Sequence, residues 1–275
     1  MKILLFGSRG YLGGYFKTLY PDAICPSVDI ADYKAVSALL DSEKPDVVIN
    51  CAGKTGRPNV DWCEDHKGET VHSNVVGSLV LAEECQKRGI YLVHLGTGCV
   101  YLGDESTPFS ESDPPNFFDS FYARTKGLVD QLLRDFPVLN IRLRMPFDGS
   151  QNERNLINKL VKYDCLIDVP NSMTYIPDLL KVVKTLIDQR AMGSFNVVNP
   201  GSMTAYRMME LYKEIVDPKH TFQKFSNDEM LQITKAGRSN CILSTRKLEE
   251  QGITLRPIQE AVMEALQTMK SRSNA

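Results

Sequence analysis

Tyr122 and Lys126 stand four residues apart in Asp119-Ser120-Phe121-Tyr122-Ala123-Arg124-Thr125-Lys126, a spacing that puts both side chains on one helix face. An ammonium beside a phenol favours the phenolate. The pair is therefore expected to lower the tyrosine pKa from about 10 toward working pH, giving a proton donor or acceptor for a carbonyl or hydroxyl. The same spacing also occurs in ordinary amphipathic helices with a surface lysine, so its neighbours must decide. A second chemical stretch stands near the start, Gly7-Ser8-Arg9-Gly10-Tyr11-Leu12-Gly13, after the apolar run Ile3-Leu4-Leu5-Phe6. Glycines at these three positions permit a tight turn and the approach of a pyrophosphate to a helix N-terminus, although the spacing differs from G-x-G-x-x-G. Arg9 inside the loop suits a 2′-phosphate and tilts the expectation toward NADP, with NAD open.

The elements that must position these residues alternate along the chain. Apolar runs predict buried strands at 3–6, 45–50, 90–95 and 139–144, and helical spacing predicts helices at 35–40 and 71–88. Asp119 or Ser120 is a fitting N-cap for the tyrosine helix, which Phe121, Leu128, Val129, Leu132, Leu133 and Phe136 continue. Cys51-Ala52-Gly53 closes one strand, and Thr97-Gly98-Cys99 follows the next. The region 22–28 is expected as a short second strand. It leaves open whether Asp29, followed by Ile30, meets a ribose or an adenine.

This alternation predicts an α/β fold, a Rossmann-type doubly wound parallel sheet with ligands at the carboxyl ends of its strands. Beyond 147 the pattern predicts helices at 152–161, 177–189, 205–216 and from 256, with strands at 165–169 and 195–198. The expected division is a cofactor domain over 1–147 and a small C-terminal substrate-binding lobe over 148–275, interleaved with late elements of the sheet.

Composition narrows the classes. The 275 residues are 43% hydrophobic and 24% charged, ordinary globular values, and a net charge of -2 makes no electrostatic case for nucleic acid or a membrane surface. The apolar start is too short for a signal peptide and no run reaches transmembrane length, so a cytoplasmic protein is expected. Seven cysteines in scattered positions suit reduced thiols. Cys63-x-x-His66 lacks a second pair, so no metal site is expected.

The glycine turn, Thr97, Tyr122 and Lys126, in that order, resemble the extended short-chain dehydrogenase/reductase family. Within it, longer strings resemble the nucleotide-sugar 4-reductases related to dTDP-4-dehydrorhamnose reductase. More closely, they resemble the 3,5-epimerase/4-reductases of UDP-L-rhamnose synthesis, known chiefly from plants. These strings include Gly56-Arg57-Pro58-Asn59-Val60-Asp61-Trp62-Cys63-Glu64, Arg142-Leu143-Arg144-Met145-Pro146, Pro170-Asn171-Ser172-Met173-Thr174 and Arg238-Ser239-Asn240. The resemblance implies that Tyr122 protonates the C4 oxygen of a nucleoside-diphosphate 4-keto-6-deoxyhexose, with NADPH as hydride source. Thr97 would hydrogen-bond the carbonyl, and Lys126 would hold the nicotinamide ribose and depress the tyrosine pKa.

It also implies Cys99 and Lys159 as the acid and base that epimerise C3 and C5, with their division of labour open. A thiol near pKa 8.5 can be tuned into a base, yet Cys99 also reads as a small buried hydrophobe and Lys159 as a solvated lysine. Arg238 and Asn155 are candidate diphosphate or sugar contacts, Asn59 and Val60 candidate pocket residues, and Asn74 a candidate organiser of the site backbone. The family further implies a homodimer. The dehydratase fused ahead of this unit in plant rhamnose synthases is not in the sequence, so a separate 4,6-dehydratase upstream is expected. Two alternatives stand beside the bifunctional reading: a plain 4-reductase, and a cofactor-binding regulatory subunit like the β-subunit of methionine adenosyltransferase.

Overall fold

The computed structural model describes residues 1–273. In chain order its strands are β1 (Ile3–Phe6), β2 (Val47–Asn50), β3 (Tyr91–Leu95), β4 (Val138–Arg142) and β5 (Pro146–Phe147). There follow β6 (Cys165–Ile167), β7 (Asn171–Tyr175), β8 (Gly193–Asn196), β9 (Asn199–Met203) and β10 (Gln223–Phe225). β1 to β4 are buried throughout, as strands covered on both faces must be, and they pair in parallel in the order β1-β2-β3-β4-β8. The expected strand at 22–28 shrinks to one bridge, in which Ile24 N donates to Ile3 O (2.9 Å) and Leu5 N to Ile24 O (2.8 Å). Pro21 and Pro26 explain this: a proline has no N–H to give a ladder.

Side chains alternate across the sheet. Leu5, Ile49, Val93 and Ile141 face one core, closed by Leu179, Val183 and Leu186 of the helix Ile176–Asp188. Leu4, Phe6, Val48, Leu92 and Val138 face the other, packed by Leu40, Leu81, Val129 and Leu133. The register aligns Phe6, Asn50, His94, Asn140 and Ser194, so a polar row crosses this second face near the carboxyl ends.

The helix Phe121–Leu132 lies over that row. Ser120 caps it by accepting from Ala123 N (3.1 Å), and Glu64 accepts from Phe121 N (2.5 Å). Its buried face is not the apolar stripe that spacing suggested. Leu128 is 49% exposed, whereas Lys126 and Asp130 are buried. Asp130 takes a bidentate pair from fully buried Arg142 at 2.8 and 2.7 Å and a bond from Asn140 at 2.8 Å.

After β5 the chain builds a second layer. β7 pairs β5 in parallel and β9 antiparallel, over a core of Met173, Tyr175, Met208, Ile258, Val262 and Leu266. The helices Ile176–Asp188, Ala205–Ile215 and Ile258–Ser273 stand within about two residues of their expected spans, with Pro177 inside the first turn of the first. The predicted helix at 152–161 is only Leu156–Leu160, because the residues before it form a turn and Asn155 caps the helix at its start.

Candidate active site

A cavity of about 770 Å³ opens where the carboxyl ends of β1 to β4 meet the second layer. Thr97, Cys99, Tyr122, Lys126 and Lys159 all line it, as do Cys51, Ala52, Gly53, Asn59 and Val60. Residues from five separate stretches are thus brought to one space.

The glycine turn forms the cofactor end. Gly7 sits at φ +74°, and a Cβ there would fall 2.5 Å from Ala52 N; one on Gly13 would fall 2.0 Å from Gly7 O. Only glycine lets the turn press so closely against the next strand end. The helix Tyr11–Leu19 starts at Gly10 with no side-chain cap, and Gly10, Tyr11 and Leu12 border the cavity, so its first N–H groups are available to an anion. That cradle fits a dinucleotide pyrophosphate. Arg9 is exposed, reaches Ser27 Oγ (3.2 Å) and lines an adjoining groove, with Ser8 half-buried beside it. Asp29 accepts from Ala31 N (2.9 Å) and His72 Nε2 (3.1 Å), which hold its carboxyl below the usual range against the effect of partial burial. Ile30 points inward: it is 4% exposed and packs on Gly77, so its side chain belongs to the core, not to a ligand pocket.

At the other end of the cavity the Tyr122 pKa is shifted opposite to the expected lowering. Burial is the largest influence and raises it, the Cys99 thiol adds to the rise, and only the Thr97 hydroxyl opposes. Lys126 instead directs Nζ to His94 Nε2 (3.1 Å) and Leu95 O (3.1 Å). Burial pushes this lysine down to about 8, with Asp130 acting in the opposite sense. Thr97 Oγ1 accepts from Cys99 N (3.1 Å), which fixes the turn carrying both. Lys159 stands on the opposite wall, in the helix Leu156–Leu160; burial and then Arg154 lower its pKa, while Glu153 opposes.

Two expected substrate contacts are placed differently. Asn155 is fully buried and caps the Lys159 helix, accepting from Ile157 N (3.2 Å) and donating to Asp148 O (2.7 Å) and Ser150 O (2.8 Å). Asp148 also accepts from Tyr15 and, at 3.4 Å, from Tyr11 Oη, so Asn155 ties the lobe to the glycine-turn helix instead of facing the cleft. Arg238 makes a bidentate pair with Asp61 at 2.8 and 3.0 Å. Burial alone would raise the Asp61 carboxyl; Arg238 and the Ala236 N–H outweigh it. The guanidinium is therefore already engaged. Cys63 is buried, and the His66 ring stacks on Trp62 at 3.9 Å.

The RmlD substrate binding domain model matches residues 1–271. The chain belongs to this family. It is 36% identical to a bifunctional dTDP-4-dehydrorhamnose 3,5-epimerase/dTDP-4-dehydrorhamnose reductase of Arabidopsis thaliana, over 95% of this chain and 91% of that protein. It is also 36% identical to a trifunctional UDP-glucose 4,6-dehydratase/UDP-4-keto-6-deoxy-D-glucose 3,5-epimerase/UDP-4-keto-L-rhamnose-reductase of the same plant. That match covers 96% of this chain and 41% of the longer protein. The crystal structure of the L780 UDP-rhamnose synthase of Acanthamoeba polyphaga mimivirus superposes with a TM-score of 0.94 at 33% identity, covering 98% and 99% of the two chains.

This RmlD-family chain also uses residues that the spacing arguments passed over. His94 and Asn50 join Lys126 in a buried polar chain, Asn50 Nδ2 lying 3.1 Å from His94 Nδ1. The one signal was a polar residue inside each of two otherwise apolar strands. Asn74, expected to organise the backbone, clasps Lys54 at both N (2.7 Å) and O (2.9 Å) from the π-turn His72–Val76. Arg57, Arg154 and Lys162 add cationic lining to the cavity.

Proposed function

We propose that the chain is an NADPH-dependent 3,5-epimerase/4-reductase that converts a nucleoside-diphosphate 4-keto-6-deoxy-D-glucose, with UDP as the favoured nucleotide, into the nucleotide-linked L-rhamnose. The observation that carries this reading is the convergence of Thr97, Cys99, Tyr122, Lys126 and Lys159 on one cavity beside the glycine cradle. The activities named for the Arabidopsis and mimivirus relatives support it.

Gly7, Gly10, Gly13 and the first peptide groups of the Tyr11–Leu19 helix would hold the cofactor pyrophosphate, with Arg9 toward the adenosine phosphate. NADPH, when bound, supplies the hydride for C4. Tyr122 serves as the acid: burial keeps it a phenol, the form that can donate a proton to the C4 oxygen as charge develops there. Thr97 donates to the same oxygen. Cys99 and Lys159, from facing walls, exchange the protons at C3 and C5, and the lowered basicity of Lys159 favours a neutral amine able to accept one. Arg57, Arg154 and Lys162 provide positive charge for the diphosphate. The 4-keto substrate is the product of a 4,6-dehydratase, one of the activities in the longer relative's name. A cytoplasmic homodimer, with a cofactor domain over 1–147 and a substrate lobe beyond it, completes the proposal.

The test is incubation with UDP- and dTDP-4-keto-6-deoxyglucose in deuterated water, with and without NADPH, read by NMR at C3, C5 and C4. Deuterium at C3 and C5 without NADPH, and rhamnose with it, is the expected result. Reduction of pre-epimerised sugar alone would leave a plain reductase, and no turnover would leave a regulatory subunit.

A further inference from the structure

The buried chain beneath Tyr122 has a fixed order of donors. Ala52 N–H can only donate, and at 3.0 Å from Asn50 Oδ1 it sets the orientation of that amide. Asn50 Nδ2 therefore faces His94 Nδ1 at 3.1 Å, and an amide nitrogen also only donates. His94 Nδ1 must accept. In a neutral imidazole the proton then sits on Nε2, 3.1 Å from Lys126 Nζ. An ammonium has three donors and no acceptor, so it would meet Nε2–H donor to donor. A neutral amine accepts from His94 and still donates to Leu95 O at 3.1 Å.

We infer that His94 is a positioning residue for Lys126: its Nε2–H tautomer, dictated by Asn50 and Ala52, holds the lysine as a neutral amine in this arrangement. The surroundings agree. His94 and Leu95 O of β3 face Lys126, and Asp130 of its own helix acts on it electrostatically while committed to Arg142 of β4. Burial lowers the basicity of both nitrogen groups, Lys126 to about 8 and His94 well below the imidazole range.

Protonating Lys126 requires His94 to change tautomer and the Asn50 amide to turn, which releases Ala52 N beside the glycine cradle. The lysine charge is thereby coupled to the cofactor end of the cleft. While Lys126 is neutral nothing draws Tyr122 toward phenolate, and it stays a proton donor. This consequence rests on the reductase reading, but the charge assignment can be tested without substrate, so the two fail separately.

The experiment is NMR of the purified chain labelled with ¹⁵N-histidine and ¹³Cε-lysine, resonances being assigned by their loss in His94→Gln and Lys126→Met. Expected are a Lys126 titration near pH 8, apart from the exposed lysines, and an Nε2–H tautomer for His94 on the alkaline side of that midpoint. In His94→Gln the amide oxygen accepts from an ammonium, moving the Lys126 midpoint up by about 1–2 units, the worth of one hydrogen bond to a charged group. An Nδ1–H tautomer above the Lys126 midpoint, or a Lys126 midpoint among the exposed lysines, overturns the inference. An unmoved midpoint in a folded His94→Gln does the same; should that variant not fold, the first two readouts still decide.

Discussion

Lys126 reaches the cleft from the sheet side, 7% exposed and tied to His94 and Leu95 O, on a twelve-residue helix anchored by the Asp130–Arg142 pair. Lys159 reaches it from the lobe on a five-residue helix capped by Asn155, half-buried among Arg154 and Glu153. Burial lowers both lysines, yet by different means: one is enclosed in a fixed polar network, the other sits in a cationic, partly open wall. In the proposed reaction the difference would serve two chemical demands. Donation to a single oxygen needs one rigid geometry. Exchanging protons at two ring carbons needs a base that can shed its proton to solvent.

The comparison breaks most visibly at Tyr122. Tyr122→Phe should cut reduction about 10³-fold, the worth of a general acid, while deuterium exchange at C3 and C5 persists. Equal loss of both activities would mean that Tyr122 is not confined to the C4 step. Next comes the anchor: Asp130→Ala leaves Arg142 buried and unpaired and should cost about 3–5 kcal/mol in urea unfolding. Cys99→Ala should lower exchange about 10²-fold yet leave reduction of the epimerised sugar within a few-fold. On the lobe side, Asn155→Ala removes a cap and should cost only about 1–2 kcal/mol, with a stronger effect on exchange than on reduction. A loss like that of Asp130→Ala would show the lobe to be as rigid as the sheet.

A pH slope reads the same contrast without substrate. Lys126 falls from 10.5 to about 8 on folding, so between those values the unfolded chain binds the extra proton. Stability from this group therefore rises with pH across that window. Urea midpoints of Lys126→Met should lack the wild-type rise from pH 8 to 10. Parallel profiles would place Lys126 in a solvated setting like an ordinary surface lysine.

Much of this was legible in the residues. The alternation of apolar runs and helical spacing located the parallel sheet, since a strand covered on both faces admits almost no other composition. The glycine turn was readable because only glycine tolerates the φ of +74° and the 2.5 Å approach found at Gly7. Less legible was the strand at 22–28, where Pro26 and the flanking Pro21 outweighed position in the pattern. Helix Phe121–Leu132 was foreseen as apolar-faced, but small residues and the buried Lys126 and Asp130 make its inner side.

The sequence by itself determined the fold class, the cradle and the Tyr122–Lys126 spacing, all products of local periodicity and backbone freedom. Tertiary structure decided what those groups are electrically. It turned Lys126 toward His94 instead of Tyr122, joined Arg238 to Asp61 across 177 residues, and drew Asn155 into a cap. The physical reason is common to all three. Hydrogen-bond partners and desolvation belong to atoms brought together in space, and neither is encoded in the spacing of the residues that carry them.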